Sequence, residues 1–314
     1  MKKIFNRILC SFFILACLFC LVEQPVLADS LKFVQLSDVH YSLDRKDTSY
    51  KLLSKSHPLL VDAIKKINSE KNIDFVMLTG DGIDQPIKNS LIALIDNLNG
   101  LKFPWYYALG NHDISSRAEV TKDVFLEVLK EKNSNFIFDS TYYTFKPKKD
   151  FRVIVIDGAK PEGYVSNAFI SQEQLNWLDK TLSQSKKDVV LIFLHFPLFE
   201  PFDSEDHRID NRKEFKAILE KYEMPIAIFT GHYHTTKIVK RGNILHVVTP
   251  SLVSYPNAFR TVSIDDKFRK VVFKFDFHET NLKELQKKAK IMAWGGKFYY
   301  GRPEDRETTV VIEK

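Results

Sequence analysis

Short apolar runs alternate along the chain with longer stretches of helical period. The short runs are rich in Val, Ile, Phe and Tyr, and they predict β-strands at 31–36, 75–78, 105–109, 153–156, 189–194 and 226–229. The longer stretches repeat apolar residues three and four positions apart, and they predict helices at about 58–70, 90–99, 121–132, 171–183 and 212–222. Strands that alternate with helices favour an α/β layered fold.

Beyond residue 234 the pattern changes to closely spaced strands. Strands are predicted at 238–240, 244–249, 259–264 and 271–277. We assign them to the same domain, which is predicted to span 29–279.

Residues 280–314 predict a C-terminal tail packed on that domain. It contains a basic helix capped by Asn281, a turn at 294–296 and a final strand over 308–312. The aromatic run at 298–300 could line a substrate site, but plain packing is the favoured interpretation.

The first 28 residues predict a signal peptide cleaved after Ala28. Three basic residues precede an apolar run over 8–22, and small residues follow it at 26–28. The run is shorter than the roughly 20 residues that a membrane-spanning helix needs, so no stable transmembrane span is expected after cleavage. The protein is therefore expected to be secreted or held in the cell envelope, with a lipoprotein cleaved before Cys17 as the weaker alternative.

Composition excludes several classes of protein and of metal site. With 44% hydrophobic and 27% charged residues the chain is not of the disordered class. The net charge of +6 is spread over the whole chain, so no nucleic-acid partner is expected. All three cysteines lie within the first 20 residues, which excludes disulfides and thiolate metal sites from the mature chain.

Five of the predicted strands end in residues that bind metal ions. The endings are Asp38-Val39-His40, Gly80-Asp81-Gly82-Ile83-Asp84, Gly110-Asn111-His112-Asp113, His195 and Gly231-His232-Tyr233-His234. Ligands of open α/β sheets bind at the carboxyl ends of the strands, so these endings are expected to converge. They hold five of the nine histidines. The other four, His57, His207, His246 and His278, are interpreted as structural or surface residues.

The order DxH, GDxxD, GNHD, H, GHxH resembles the calcineurin-like metallophosphoesterase superfamily over about residues 31–264. The resemblance implies a four-layer αββα sandwich of two mixed sheets with a dinuclear metal centre. Purple acid phosphatases would carry Tyr at Asp84, and protein serine/threonine phosphatases would carry Arg at Gln85. The chain therefore resembles the bacterial cyclic-nucleotide phosphodiesterase type more than either of these.

The same resemblance implies roles for individual residues. One metal would be held by Asp38, His40 and His234, and the other by Asn111, His195 and His232, with Asp81 bridging the two. Such nitrogen and oxygen donors suit two divalent ions such as Mn²⁺, Fe²⁺ or Zn²⁺.

Two further residues would assist the chemistry without binding metal. The resemblance makes His112 the general acid that protonates the leaving oxygen, a step that contributes about 10² to 10⁴-fold. Asp84 would orient His112, with Asp113 as the competing candidate.

These features predict a secreted, dimetal-dependent phosphoesterase. It would hydrolyse small phosphomonoesters or phosphodiesters by attack of a metal-bridging hydroxide. One alternative is a cyclic-nucleotide phosphodiesterase, and one of another class is a metal-containing cell-surface binding protein without turnover. The loop at 198–211 is acidic, and a solvated surface is favoured over a selectivity filter there.

Overall fold

The computed structural model describes residues 29–162, 165–199, 201 and 205–314. The predicted signal peptide lies outside these residues, and its cleavage stays a prediction. Among the described helices, none has the length and apolar character required to cross a bilayer.

The structure confirms the predicted α/β alternation. The strands are β1 (Asp29–Leu36), β2 (Phe75–Thr79), β3 (Trp105–Ala108), β4 (Tyr143–Lys148), β5 (Phe151–Val155), β6 (Val189–Phe193), β7 (Ile226–Thr230), β8 (Lys237–Arg241), β9 (Ile244–Val248), β10 (Ala258–Lys267), β11 (Lys270–Glu279) and β12 (Thr308–Glu313). The α-helices are α1 (Ser56–Ile67), α2 (Lys88–Leu98), α3 (Lys122–Lys132), α4 (Gln172–Ser183), α5 (Arg212–Leu219), α6 (Lys283–Met292), α7 (Lys297–Tyr300) and α8 (Pro303–Arg306).

The strands form two mixed six-stranded sheets. The first has the order β12-β11-β10-β1-β2-β3, and the second has the order β4-β5-β6-β7-β9-β8. Strands β1, β2 and β3 are parallel in the first sheet, as are β5, β6, β7 and β9 in the second. Together with the helices that follow these strands, the sheets form the predicted αββα sandwich.

An aromatic core joins the two sheets. Phe33 of β1 stacks on its sheet neighbour Phe75 at 5.1 Å between ring centroids. From the second sheet, Phe193 and Phe229 meet Phe33 edge-on at 5.3 and 5.0 Å. Strands β2, β6 and β7 are buried along their whole length, which explains why they are continuous apolar runs.

Two details differ from the sequence prediction. Strand β4 has no counterpart among the predicted strands, because it is a half-buried edge strand interrupted by Pro147. The prediction that Asn281 caps α6 is wrong. Helix α6 begins at Lys283 without a side-chain cap, and the Asn281 backbone N–H instead donates to Asp62 Oδ2 at 2.7 Å.

Other local predictions are confirmed. The Ser171 side chain accepts a hydrogen bond from the Gln174 N–H and so caps α4. Gly295 and Gly296 have φ angles of 86° and 67°, which form the predicted turn after α6. Strand β12 pairs with β11 and extends the first sheet.

Candidate metal centre and active site

The five motif-bearing strand ends meet where the two sheets face each other. Strands β1, β2 and β3 bring Asp38, His40, Asp81 and the Asn111-His112 pair from one sheet, and β6 and β7 bring His195, His232 and His234 from the other. Within this region three groups have their ligand atoms within 4.8 Å of one another: first Asp38, His40 and His234, second Asp81, His195 and His232, and third His40, Asp84 and His112.

The first group pairs two imidazoles with one carboxylate. His40 Nε2 lies 3.1 Å from His234 Nε2, which lies 3.3 Å from Asp38 Oδ1. The other nitrogen of His234 contacts Ser254 Oγ at 2.8 Å, so its ring is held with Nε2 facing inward. This orientation is the one that a second polar contact imposes on a metal-binding histidine.

The second group repeats this arrangement. His195 Nε2 lies 3.1 Å from His232 Nδ1 and 3.2 Å from Asp81 Oδ2. His195 Nδ1 lies 2.8 Å from the Thr79 carbonyl oxygen. Because a carbonyl can only accept, Nδ1 carries the proton and Nε2 faces the cluster.

Asp81 lies between the two groups. Its Oδ2 atom lies 3.6 Å from His40 Nε2 in addition to its contact with His195. Its Oδ1 atom accepts a hydrogen bond from the His112 backbone N–H at 2.9 Å. One carboxylate thus contacts an imidazole of each group.

The backbone at these positions is unusual. Asp38, His40, Asp81, His232 and His234 have φ angles of 50°, 41°, 49°, 69° and 53°, in the left-handed region. A residue other than glycine in this conformation stores strain that surrounding structure must hold, and such residues cluster at functional sites. The local fold therefore imposes these side-chain directions at an energetic cost.

The glycines of the motifs permit aspartate carboxylates of the cluster to lie close to the backbone. A Cβ atom on Gly231 would lie 2.4 Å from Asp38 Oδ2, and one on Gly110 would lie 2.2 Å from Asp81 Oδ1. A side chain at either position would displace a carboxylate of the cluster. Gly80 also needs its φ angle of 80°.

Charge within the cluster favours a bound cation. Burial opposes ionisation of Asp38, but His234 and His195 beside it lower its pKa to about 2. Burial would lower the pKa of His195, yet the neighbouring carboxylates of Asp81 and Asp38 raise it to about 9. The carboxylates that stabilise a proton on His195 can stabilise a divalent cation in the same place.

The donor set fits metal ions. Asn111 Oδ1 and His232 Nε2 are buried and have no hydrogen-bond partner among the described residues. Burial and the Lys51 ammonium lower the pKa of His40 to about 3, so its imidazole is neutral, as a ligand must be. Two pairs of facing imidazole nitrogens, two carboxylates and one amide suit divalent ions better than any apolar ligand.

His112 is half-buried beside the first group. Its ring meets that of His40 edge-on at 4.7 Å between centroids. His112 Nδ1 lies 2.8 Å from the backbone carbonyl oxygen of Asp84, so Nδ1–H donates to it. The main chain of Asp84 therefore binds His112, and the Asp84 carboxylate also lies within 4.8 Å of ring nitrogens of His40 and His112.

Asp113, the competing candidate for orienting His112, binds backbone groups of two motif loops. Its buried carboxylate accepts hydrogen bonds from the backbone N–H groups of Gly110 and Asp81, at 2.8 and 3.0 Å, and from Tyr107 Oη at 2.8 Å. Burial and the charge of Asp81 raise its pKa to about 7. Asp113 thus ties the second and third motif loops together.

His207 is exposed, as the interpretation of it as a structural or surface residue predicts. Its ring nevertheless lies 5.1 Å from that of His232, at the edge of the second group. The other three histidines are away from the cluster: His57 contacts Tyr41 Oη, His246 packs on Phe199, and His278 stacks on Phe259. No sequence motif surrounds His207, so only its position in space identifies it.

One acidic residue of the loop at 198–211 is paired with a lysine. Glu200 and Asp203 lie outside the described residues. Asp210 is paired with Lys160 at 2.6 Å, and it also accepts a hydrogen bond from Asn167 at 3.0 Å. This part of the loop is a paired surface.

A cavity of about 280 Å³ adjoins the site on the His112 side. It is lined by Arg45, Thr48, Tyr50, Lys51, Asp84, Gln85 and His112. Larger cavities of about 530 and 420 Å³ lie over the tail and are lined by none of the cluster residues. The smaller cavity is therefore the one that a substrate bound at the cluster would enter.

This fold and these clusters define a hydrolase of phosphoric esters. The calcineurin-like phosphoesterase family profile matches residues 31–236, and the chain belongs to that family. The 3′,5′-cyclic adenosine monophosphate phosphodiesterase CpdA of Haemophilus influenzae is 26% identical over 223 residues, covering 68% of this chain and 71% of that protein.

Two further proteins are similar to this chain, one in sequence and one in structure. A "probable glycerophosphodiester phosphodiesterase GpdQ" of Arcobacter nitrofigilis is 29% identical over 228 residues, covering 69% of this chain and 78% of that protein. A dimetal phosphatase from Danio rerio has a similar structure with a TM-score of 0.62, at 18% identity, over 80% of this chain and 96% of that one. At this identity the likeness concerns the fold alone.

Proposed function

We propose that the mature protein is a dimetal phosphoesterase that hydrolyses small phosphodiesters and phosphomonoesters. The observation that carries the proposal is the position of Asp81, whose Oδ2 atom lies 3.2 Å from an imidazole of one group and 3.6 Å from an imidazole of the other. A carboxylate in this position suits a bridge between two cations.

The ligand assignment follows from the two groups. Asp38, His40 and His234 would hold one divalent ion, and Asn111, His195 and His232 would hold the other, with Asp81 shared. When bound, the ions supply Lewis-acid charge and a nucleophile at neutral pH. Mn²⁺, Fe²⁺ and Zn²⁺ are all compatible with nitrogen and oxygen donors.

The chain itself positions the proton donor. Because Nδ1–H of His112 donates to the Asp84 carbonyl, the ring is held in one orientation. Its Nε2 atom is then the one that would protonate a leaving oxygen. The His112 backbone N–H also binds Asp81, so the acid and the proposed bridge are fixed to each other.

Diesters are favoured by the relatives. The two relatives described above are both named as phosphodiesterases, one of cyclic adenosine monophosphate and one of glycerophosphodiesters. Cyclic-nucleotide phosphodiesterase activity is therefore the second candidate. A metal-containing binding protein without turnover is disfavoured because His112 lies beside the cluster in a fixed orientation.

A screen of the metal-loaded mature protein tests this function. We expect bis(4-nitrophenyl) phosphate, 4-nitrophenyl phosphate or 3′,5′-cyclic AMP to be hydrolysed with added Mn²⁺, and hydrolysis to stop with chelator. Hydrolysis that survives complete metal removal would refute the mechanism. A protein with two bound metals and no activity on any ester would support the binding-protein alternative.

We also propose export of the protein, with cleavage after Ala28. The basic start, the short apolar run and the small residues at 26–28 support this proposal. N-terminal sequencing of material from the culture medium or cell envelope should begin at Asp29. A product that keeps its first 28 residues would contradict it.

A further inference from the structure

The cavity beside His112 has a positively charged wall outside the family motifs. Arg45 and Lys51, from the loop after β1, both line it.

Both cations contact the carboxylate of Asp84. Lys51 Nζ lies 3.5 Å from Asp84 Oδ1, and Arg45 Nε lies 3.4 Å from Asp84 Oδ2. Lys51 also lies 3.4 Å from His40 Nδ1. One carboxylate thus faces two permanent cations, which leaves one positive charge in excess.

The two cations differ in exposure. The side chain of Lys51 is 7% exposed and that of Arg45 is 46% exposed. Lys51 is therefore enclosed with Asp84 and balances its charge, whereas Arg45 is the more exposed of the two cations that line the cavity.

The guanidinium of Arg45 has further N–H donors besides the one near Asp84. Its Nε atom lies 3.4 Å from Asp84 Oδ2, and its Nη groups make no hydrogen bond to any residue that the structure describes. A guanidinium presents five N–H donors in a planar fork, so the edge that does not face Asp84 can bind an anionic oxygen.

We propose that Arg45 is a substrate-binding residue that donates to an anionic oxygen of the phosphoester, and that Lys51 is the positioning residue that holds Asp84. This inference rests on the proposed phosphoesterase function. The anionic oxygen belongs either to the reacting phosphoryl group or to an acidic group on the leaving side, and the two sources are separable by experiment.

The loop that carries Arg45 is anchored through Asp47. Asp47 Oδ1 accepts a hydrogen bond from the Ser54 N–H at 3.0 Å, and Asp47 Oδ2 pairs with Lys288 of α6 at 2.7 Å. The tail thus contacts the loop that lines the cavity. This anchoring reduces the entropy lost when Arg45 binds a ligand.

The test compares Arg45→Gln with Lys46→Gln. Lys46 is an exposed neighbour that does not line the cavity, so its replacement removes the same charge from the same loop. With both variants metal-loaded, we expect Arg45→Gln to raise KM by on the order of tenfold to a hundredfold, the effect of one charge-assisted hydrogen bond. Metal content should stay at the wild-type value, and Lys46→Gln should match the wild type.

Two measurements identify the source of the oxygen. If Arg45 binds the reacting group, Arg45→Gln weakens the binding of orthophosphate measured by calorimetry and raises KM for every ester. If it binds an acidic leaving group, orthophosphate binding is unchanged, and KM rises for phosphoglycerate but not for glycerol phosphate, which carries a hydroxymethyl group in place of the carboxylate.

Other outcomes overturn the inference. A KM for every ester that matches that of Lys46→Gln, with unchanged orthophosphate binding, shows that Arg45 does not bind substrate. A loss of kcat and metal content at unchanged KM shows that Arg45 only supports Asp84. If the metal-loaded wild type hydrolyses no ester, the proposed function fails, and orthophosphate binding to the two variants still decides whether Arg45 binds an anion.

Discussion

Replacing Asp81 with asparagine should remove both metal ions and lower the turnover number by at least about 10³-fold. The carboxylate Oδ2 lies 3.2 Å from His195 Nε2 and 3.6 Å from His40 Nε2, so it contacts both groups. An amide offers a single neutral oxygen and a nitrogen donor that repels cations. Elemental analysis of the reconstituted variant should show well under one equivalent of metal per chain.

The matched control is Asp157→Asn. Asp157 is also a buried aspartate just beyond a parallel strand, but it pairs with Lys122 at 2.7 Å and Thr141 at 2.6 Å. This variant should keep its metals even if the free energy of unfolding falls. Loss of only one metal from Asp81→Asn would contradict the bridging role, and retention of both metals would remove Asp81 from the centre.

The convergence of the five motifs could be predicted because each motif directly follows an apolar run that forms a strand. Apolar runs of five residues that are buried on both faces must be central parallel strands, and their carboxyl ends share one edge. A polar residue directly after such a run is therefore placed in space by the sequence alone. This argument brought together Asp38, His40, Asp81, His195, His232 and His234, as the structure does.

The same argument fails where no strand fixes the position. Arg45 and Lys51 lie in the irregular loop after β1, and His207 lies in the loop after β6, so their distances to the cluster depend on loop conformation. Nothing in the spacing of Arg45 to Asp84 indicates a contact across 39 positions of sequence. Loops carry binding residues more often than strands, which is why these residues were missed.

Residue type also did not predict that the main chain of Asp84 would bind His112. The backbone carbonyl accepts the hydrogen bond, and the carboxylate lies beside His40, Lys51 and Arg45. Replacing Asp84 with asparagine would leave that carbonyl in place. The substitution would instead remove the negative charge that lies beside His40, Lys51 and Arg45.

Replacing His112 with alanine should lower kcat by about 10² to 10⁴-fold for esters with alkoxide leaving groups, the usual contribution of a positioned general acid. The metal content should not change, because His112 is a neighbour of the proposed ligand Asn111 and not itself one. Its backbone N–H also remains to donate to Asp81 Oδ1.

The loss of activity for different leaving groups distinguishes a general acid from a residue with a structural role. A nitrophenolate departs without a proton at neutral pH, so the same variant should lose much less activity on 4-nitrophenyl phosphate or its diester. A plot of log kcat against the pKa of the leaving alcohol should steepen in His112→Ala relative to the wild type. Parallel plots with equal losses would show that His112 positions the substrate, since a positioning defect slows good and poor leaving groups alike.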